Sequence, residues 1–466
     1  MHPDEPRSAP RVRPWIKKLA VLVLPVLLVI LGITAWDYIE MGRLTREIES
    51  IRVKGEPTNG IALVDPRYGQ ADNAEYRYAA AAILTTSPTV YSTIGGAERG
   101  GGTAMQTYAR FASIRQWLAG ASSAPSLDGF QAVTEAVISE WQEAFSLVDK
   151  AAGSPYRGVL PGGEYSYRVA GLWNMLRLLS ARTIGLAVSG DGDAAVNSAI
   201  SAIKLRRAIR PSQRMFPTTM HEVPALLSLS KPSEDALIRL QRTLVDEEDA
   251  DGPTRDFLAA RAQVLDILWR QVYGVGSGRL LPRPFPWELF PSPWMRPLYT
   301  HRIINSLRAW SQLSAIAHKP WPDRAALAAE PLARYSADLR LNGPVIGTGF
   351  AAMWFNQALQ PDTLIYDRCS RIAVAIERYR RAHGDAVPAA LSDLVPTYLT
   401  DIPEDPITGK PLRYRAAPDA YIVYSVGPDG QDDGGNLLRQ ASRTHKGPGT
   451  IWDPSADRGI RVLIRK

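Results

Sequence analysis

The most regular feature of the hydropathy pattern is an uninterrupted apolar run near the N-terminus. Leu19 to Trp36 contains no charged residue, and at about 1.5 Å per residue this length nearly spans a hydrocarbon core of roughly 30 Å. Pro25 lies inside the run, which transmembrane helices tolerate because nearby groups satisfy the carbonyl that proline frees. The run therefore predicts a transmembrane helix over residues 19–36.

The charges on either side of the run predict its orientation. Five basic residues precede it and the acidic residues Asp37 and Glu40 follow it. The positive-inside rule then places residues 1–18 in the cytoplasm and the rest of the chain outside it. We expect a single-pass signal anchor in the inner (cytoplasmic) membrane, with the bulk of the chain periplasmic or otherwise extracytoplasmic.

Two alternatives to an anchor fit the sequence less well. A cleavable signal peptide has a shorter apolar core of about 7 to 15 residues and ends in a small-residue cleavage site, whereas the nearest such site here has the bulky Ile33 two positions before Ala35. A buried helix of a soluble protein does not need the interfacial aromatics found here, Trp15, Trp36 and Tyr38. The uncleaved anchor fits better than either.

Directly after the anchor, apolar residues repeat at spacings of three and four. They are Met41, Leu44, Ile48 and Ile51. The pattern is helical and heptad-like but covers fewer than two heptads, so it predicts a stalk helix and linker over residues 37–72. A dimerising coiled coil is the alternative interpretation of the same stripe.

Residues 73–360 follow a helical pattern broken by turn residues, which predicts an α-helical domain. The clearest unit is a helical hairpin from Tyr167 to Ile209 that turns at Ser189–Asp193, and Pro232 with Ser233 predicts another helix start. No fixed repeat length emerges, so an irregular domain is favoured over a regular solenoid. The six-proline segment Pro282–Pro297 either packs across this domain or presents an aromatic surface.

Residues 361–466 have a different texture. An apolar helical stripe that includes Cys369 is followed by a turn and then by two short β-type runs, Leu412–Arg415 and Tyr421–Ser425. A helix followed by antiparallel strands is an α+β layout. The predicted fold class is thus mainly α: a transmembrane helix, an irregular α-helical domain that is hairpin-like or repeat-like, and a small α+β C-terminal module with a tail.

Composition narrows the function. The net charge of +7 is spread along the chain without a basic run, so nucleic-acid binding has little support. The single cysteine cannot form an internal disulfide. The six histidines lack metal-ligand spacing, and no phosphate-binding loop or nucleophile elbow occurs. The acidic run from Asp246 to Asp251 is interpreted as a solvated helix end.

The C-terminal module resembles the C-terminal portion of type II secretion major pseudopilins. The matching residues extend over about 364–436 and include Tyr379-Arg380, His383-Gly384, Pro388, Leu391, Leu394, Tyr398-Leu399, Asp405-Pro406, Gly409, Pro411, Tyr414 and the run Tyr424 to Gly430. The resemblance implies a helix packed on a small antiparallel sheet. It also implies a loop ordered by calcium, for which Asp429 aligns with the family's aspartate.

Other carboxylates near Asp429 extend this calcium prediction. Asp432 and Asp433 lie just beyond it, and Asp453 is a further candidate ligand. Calcium takes six to eight oxygen ligands, which carboxylates and carbonyls in a Gly-rich loop supply. The alternative is a solvated hairpin turn rich in Asp and Gly.

The chain also departs from the pseudopilins. Their apolar N-terminal helix is continuous with the pilin helix and follows a processing site, whereas here the anchor is distant in sequence from the module and no such site occurs. A filament subunit is therefore disfavoured. The whole arrangement resembles bacterial membrane-anchored proteins that join a helical domain to a pseudopilin-like tail, a likeness that implies no activity.

These observations favour a non-enzymatic, membrane-anchored cell-envelope protein that takes part in protein–protein interaction or assembly, in a secretion-related setting. Its expected partners are the lipid bilayer and envelope proteins, and calcium is the one cofactor considered. The alternative is an envelope hydrolase whose carboxylates converge only in the folded protein. The sequence does not give an oligomeric state.

Overall fold

The computed structural model describes residues 14–58, 74–85, 117, 126–127, 129–154, 165–208, 222–248, 257–258, 261–262, 265, 296–319, 321–340, 362–437 and 457–464. Two compact units are present. One comprises Met1–Thr58 with Val264–Arg308, and the other comprises Asn59–Gln263 with Ala309–Lys466. Residues 282–295 of the predicted aromatic segment, and Asp453, lie outside the described residues.

The fold is mainly helical, as the sequence predicts, with one small sheet. The helices of the described residues are α1 (Pro14–Val53), α2 (Ala74–Thr85), α3 (Phe130–Glu140), α4 (Gln142–Ala152), α5 (Tyr165–Val188), α6 (Gly192–Ala208), α7 (Glu222–Leu229), α8 (Glu234–Asp246), α9 (Arg296–Ile316), α10 (Trp321–Arg340) and α11 (Asp362–Ala382), with a 3₁₀ turn at Leu391–Leu394. The strands are β1 (Arg413–Ala416), β2 (Ala420–Ser425) and β3 (Arg458–Leu463).

Helix α1 joins the predicted anchor and the predicted stalk in one helix of 40 residues, about 60 Å long. Pro25 lies inside it. The stalk helix ends at Val53, and residues 59–72 of the predicted stalk and linker lie outside the described residues. The N-terminal part of α1 is the one described helix that is long and apolar enough to cross a membrane, and only 6% of its apolar window is buried. A helix in the core of a soluble protein would be mostly buried, and this segment is mostly exposed.

The later part of α1, which we call the stem (Glu40–Val53), is docked inside its own unit. Leu44 is 1% exposed and packs in a cluster with Ile304 and Leu307 of α9, while Met41 and Ile48 lie partly buried against the same cluster. The heptad-like stripe therefore has a partner within the chain. Dimerisation is not needed to explain its apolar residues.

The predicted hairpin in the helical region is present as α5 and α6, and the turn between them contains Gly190 at a φ of 84°. Its core continues into α2 and α4, whose buried alanines, together with Tyr78, Phe145 and Val148, pack against the buried leucines of α5. Gly171 lets α5 approach α2 closely, because a Cβ there would lie 2.1 Å from the Ala82 carbonyl oxygen. The missing side chain at Gly171 thus allows the backbones of α5 and α2 to come close together.

The predicted helix start at Ser233 is also present. The Ser233 hydroxyl accepts a hydrogen bond from the Ala236 amide at 3.2 Å and caps α8. An amide in the first turn of a helix has no acceptor within the helix, so without the cap it would have to bond to water. The Ser233 cap therefore stabilises the start of α8.

The C-terminal module contains a three-stranded antiparallel sheet of order β1-β2-β3. The predicted hairpin corresponds to β1 and β2, in which Arg413 pairs with Tyr424. The third strand, β3, is not among the predictions, which end the module in a tail. Its β-branched residues Ile460 and Val462 are buried, and they were the signal for it. Helix α11 packs against β2 and β3.

Charged contacts join the C-terminal helix α11 to the helical region. Arg206 of α6 contacts Glu222 at 3.2 Å and Asp367 of α11 at 3.3 Å, and all three residues are buried. Arg378 of α11 contacts Glu234 of α8 at 2.6 Å. Helices α5 to α8 and the C-terminal module thus belong to the same compact unit.

The acidic run after α8 corrects one prediction. Glu247 is 8% exposed, and Glu248 contacts Arg368 at 2.8 Å. The interpretation as a solvated helix end was therefore wrong for these two residues, because Glu247 is buried and α11 brings Arg368 and Arg371 to Glu248 from more than a hundred positions away. Asp249 and Asp251 lie outside the described residues.

Candidate functional site

A polar cleft of about 500 Å³ lies beside the stem, between it and the first half of α9. Helical periodicity builds one wall, because Glu40, Arg43, Glu47 and Ser50 recur at spacings of three and four and share a face. This polar stripe runs beside the apolar stripe that docks the stem. The opposite wall is formed by His301, Ile304 and Arg308.

Glu40 is the most unusual group in the cleft. Its side chain is 2% exposed, although it follows the apolar segment by only a few residues. One carboxylate oxygen, Oε1, accepts a hydrogen bond from Arg43 at 2.8 Å. The other, Oε2, is buried, receives no hydrogen bond within the described residues, and lies 3.4 Å from His301 Nδ1. A buried carboxylate oxygen without a donor is costly, so it marks a position suited to an incoming donor.

The rest of the lining is mostly cationic. Arg308 Nε donates to Glu47 Oε2 at 3.1 Å. Arg46 lines the cleft and forms no hydrogen bond or ion pair within the described part of the chain. Three guanidinium groups thus face two carboxylates, which leaves the cleft with a net positive charge and a guanidinium free to bind an anion. Arginine presents a planar fork that matches phosphate and carboxylate geometry.

The cleft was not predicted from the sequence. Its stem residues sit among charges that look like an ordinary solvated helix face, and its other wall comes from α9, more than 250 positions later. The only local signal was the heptad-like stripe beside it, which shows that this helix has a packed side but not what packs there.

The predicted anchor residues Leu19, Pro25 and Trp36 all lie in α1. Trp36 is 42% exposed, and the large apolar side chains around it are likewise exposed, among them Leu24, Leu28, Leu31 and Ile39. No described residue covers this surface. An apolar surface of this length in water would be unstable, whereas a bilayer would cover it.

The predicted calcium residues lie in a loop after β2. Asp429 Oδ1 accepts a hydrogen bond from the Gln431 amide at 3.0 Å, which forms a local turn. The Asp432 carboxylate contacts the Arg413 guanidinium and accepts from the Tyr424 hydroxyl at 3.1 Å. The Asp429 and Asp432 carboxylates therefore have different partners in this structure.

Asp457, which the sequence did not single out, holds the same loop. Its carboxylate accepts hydrogen bonds from the Gly435 amide at 2.7 Å and the Asp433 amide at 3.4 Å. Burial raises its pKa above the ordinary aspartate value, and the amide hydrogen bonds oppose that shift. Within the described ranges no three acidic, histidine or cysteine side chains are grouped to hold a metal, and Asp453 is outside them, so the calcium loop stays a prediction.

A second buried carboxylate lies where α11 meets the sheet. Glu377 accepts hydrogen bonds from Arg380 at 2.8 Å and from the Tyr421 hydroxyl at 2.8 Å. Burial raises the pKa of Glu377, against the lowering effect of Arg380. Burial also raises the pKa of Tyr421 well above its usual value and that of Tyr414 to about 12. These groups are hydrogen bonded within the module and hold α11 to the sheet.

Comparison with protein-family models, with curated proteins and with solved structures finds no match to this chain.

Proposed function

We propose that this chain is a membrane-anchored cell-envelope protein that acts by binding other envelope components, without catalysis of its own. The observation that carries the proposal is the division of α1. Its apolar side chains are exposed between Val21 and Ile39, and its stem is docked within the protein from Leu44 onward. One half of the helix fits a bilayer and the other half fixes it to a folded unit.

The charge asymmetry supports an inner-membrane anchor with a cytoplasmic N-terminus. Arginines and lysines precede the apolar run and Asp37 follows it, so export of the C-terminal side is the favoured orientation. The alternative of a cleaved signal peptide makes a different prediction, since the mature chain would then lack everything before its cleavage site.

The pseudopilin-like module supports an interaction role and disfavours a filament role. The order of α11, β1 and β2 fits the layout that the resemblance implies. In a pilin filament the helix must be available to neighbouring subunits, but here α11 contacts α6 and α8 through Asp367 and Arg378. We propose that the module serves as part of a rigid exported domain in a secretion-related or other envelope assembly.

The hydrolase alternative has less support. General acids and bases have pKa values near the working pH and need access to substrate. The acids whose pKa burial raises, Glu377 and Asp457, are engaged by Arg380, Tyr421 and loop amides. These hydrogen bonds give both carboxylates a structural role.

Fractionation combined with topology reporters tests the proposal. An alkaline phosphatase fusion after Lys466 should be active, a fluorescent protein fused there should be dark, and the chain should sediment with membranes and keep an N-terminal tag. The charged double variant Leu24→Arg with Leu28→Arg should abolish insertion, since each arginine at the centre of a span costs about 2.5 to 3.5 kcal/mol. The matched control is the double variant Thr45→Arg with Glu49→Arg, which places two arginines at exposed positions of the stem.

Proximity labelling from the exported domain then tests the binding role. Reproducible labelling of a small set of envelope proteins, lost when the anchor variant is used, would support it. A cytoplasmic C-terminus, or loss of the N-terminal tag from the mature chain, would contradict the proposed anchor.

A further inference from the structure

We propose that the stem cleft binds the headgroup of an aminophospholipid, with the phosphate on its arginines and the primary ammonium on Glu40. The inference rests on the proposed membrane anchoring, because that anchoring sets the height of the cleft. It goes beyond anchoring by assigning a specific lipid class to a defined site.

The position of the cleft matches the headgroup layer. Glu40 follows Trp36 by four residues, or about 6 Å along the helix. The polar layer on each side of a bilayer is roughly 5 to 7 Å thick. Glu40 therefore lies at headgroup height. Arg43 follows Trp36 by about 10 Å along the helix, but its guanidinium contacts the Glu40 carboxylate at 2.8 Å and so lies level with it. Arg46 lies farther out, but side chains of a helix lean toward its N-terminus, which here is the direction of the membrane.

The lining matches both charges of such a headgroup. Arg46 has no partner in the described part of the chain, and Arg43 and Arg308 are about half exposed, so guanidinium groups are available to phosphate oxygens. Glu40 Oε2 is buried and receives no hydrogen bond from the described residues; its nearest polar neighbour is His301 Nδ1 at 3.4 Å, and a primary ammonium would supply a hydrogen-bond donor. A quaternary ammonium has no N–H to donate, so the site should distinguish ethanolamine from choline headgroups.

The size of the cleft is also suitable. Its volume of about 500 Å³ lies within the usual range for small-ligand sites, roughly 300 to 1,000 Å³. It is open enough for a lipid to enter, since His301 is 47% exposed on its far wall. A free phosphoethanolamine carries the same groups, so a test must separate a lipid from a soluble ligand.

The experiment uses the full chain in nanodiscs that contain equal amounts of phosphatidylethanolamine, phosphatidylcholine and phosphatidylglycerol. After gentle detergent extraction, native mass spectrometry measures which lipid stays bound one-to-one. We expect phosphatidylethanolamine to exceed phosphatidylcholine about tenfold, as one hydrogen bond to a charged group predicts. Equal retention of these two lipids, or preferential retention of phosphatidylglycerol, would overturn the assignment of the ammonium to Glu40.

Two variants and one control locate the site. Arg46→Gln removes a guanidinium without an internal partner and should reduce retention about tenfold, and Glu40→Gln should remove the preference for ethanolamine over choline. Arg52→Gln is the control, because Arg52 lies on the same helix outside the cleft and pairs with Glu49 at the surface. If Arg46→Gln and Arg52→Gln retain the lipid equally, the cleft is not the site.

A soluble competitor separates the two sources of the headgroup. Free phosphoethanolamine should not displace the bound lipid, and displacement at micromolar concentration would identify a soluble ligand instead. Membrane sedimentation of the same samples distinguishes the two levels of the proposal. A chain that does not sediment with membranes refutes the anchor, whereas a membrane-bound chain without selective lipid retention refutes only the headgroup site.

Discussion

Replacing Arg206 by methionine should destabilise the larger unit strongly. Arg206 is 9% exposed and lies between Glu222, 6% exposed, and Asp367, 5% exposed. Its two terminal nitrogens contact one carboxylate each, at 3.2 and 3.3 Å. Methionine fills a similar volume but removes the cation that the two buried carboxylates share.

The expected cost follows from this geometry. Removing one partner of a buried ion pair costs about 3 to 5 kcal/mol, because the remaining charge stays desolvated. The unit comprises roughly 360 residues, for which the entropy of unfolding is on the order of 0.8 kcal/mol per kelvin. We therefore expect the melting temperature to fall by about 4 to 6 °C.

Thermal and urea unfolding of the full chain, followed by circular dichroism and tryptophan fluorescence, would measure the change. The matched control is Arg239→Met on α8. Arg239 is exposed and its hydrogen bond to Asn197 is long, 3.5 Å. This control variant should change the free energy of unfolding by less than about 0.5 kcal/mol.

Neutralising one carboxylate gives the complementary test. Glu222→Gln leaves Arg206 opposite Asp367 and removes one of two like charges, so its cost should be near 1 kcal/mol, well below that of Arg206→Met. The reasoning would be refuted if Arg206→Met melted within 1 °C of the unmodified chain, or if the glutamine variant were the less stable of the two.

Three further predictions concern other parts of the chain. Leu44→Ala should loosen the docked stem by about 2 to 4 kcal/mol, measured as faster proteolysis within the stem, whereas Thr45→Ala on its exposed side should not; equal rates would contradict the docking. Because burial raises the pKa of Glu377 above 4.5, its charged form destabilises the fold at neutral pH, so this group's contribution should become more favourable as the pH falls toward 4.5; a stability difference between Glu377→Gln and the unmodified chain that does not vary with pH would contradict this. If the Asp429 loop binds calcium, calcium should raise the melting temperature relative to chelator in the unmodified chain but not in Asp429→Asn, and identical curves would argue against it.

Local patterns predicted the local features of this fold. An apolar run without charges, a stripe at spacings of three and four, and a serine cap before two acidic residues each depend on residues close in sequence. The structure has α1, the α5–α6 hairpin and the start of α8 where these patterns placed them. The β1–β2 hairpin likewise depends on a short connection, Ala417 to Asp419.

Features that depend on distant residues were not predicted. Strand β3 is separated from β2 by more than thirty residues, so no hairpin signal connects them. Glu248 looked like part of a solvated acidic run until α11 placed Arg368 beside it. In both cases the local sequence showed the residue types, β-branched residues in β3 and a carboxylate at Glu248. Which residues they contact is determined only by the tertiary fold.

The stem shows how the same limit affects function. Periodicity in Met41, Leu44 and Ile48 indicated a buried side, and it left open whether a second copy or this chain covers it. The docking of Leu44 against α9 answers that question, and the same docking buries Glu40. A carboxylate in water is solvated and does not indicate a binding role. A carboxylate with a buried oxygen needs a hydrogen-bond donor, and without one it lowers the stability of the fold. The functional signal at Glu40 therefore arises from the packing of its helix, which is why it emerges only with the folded chain.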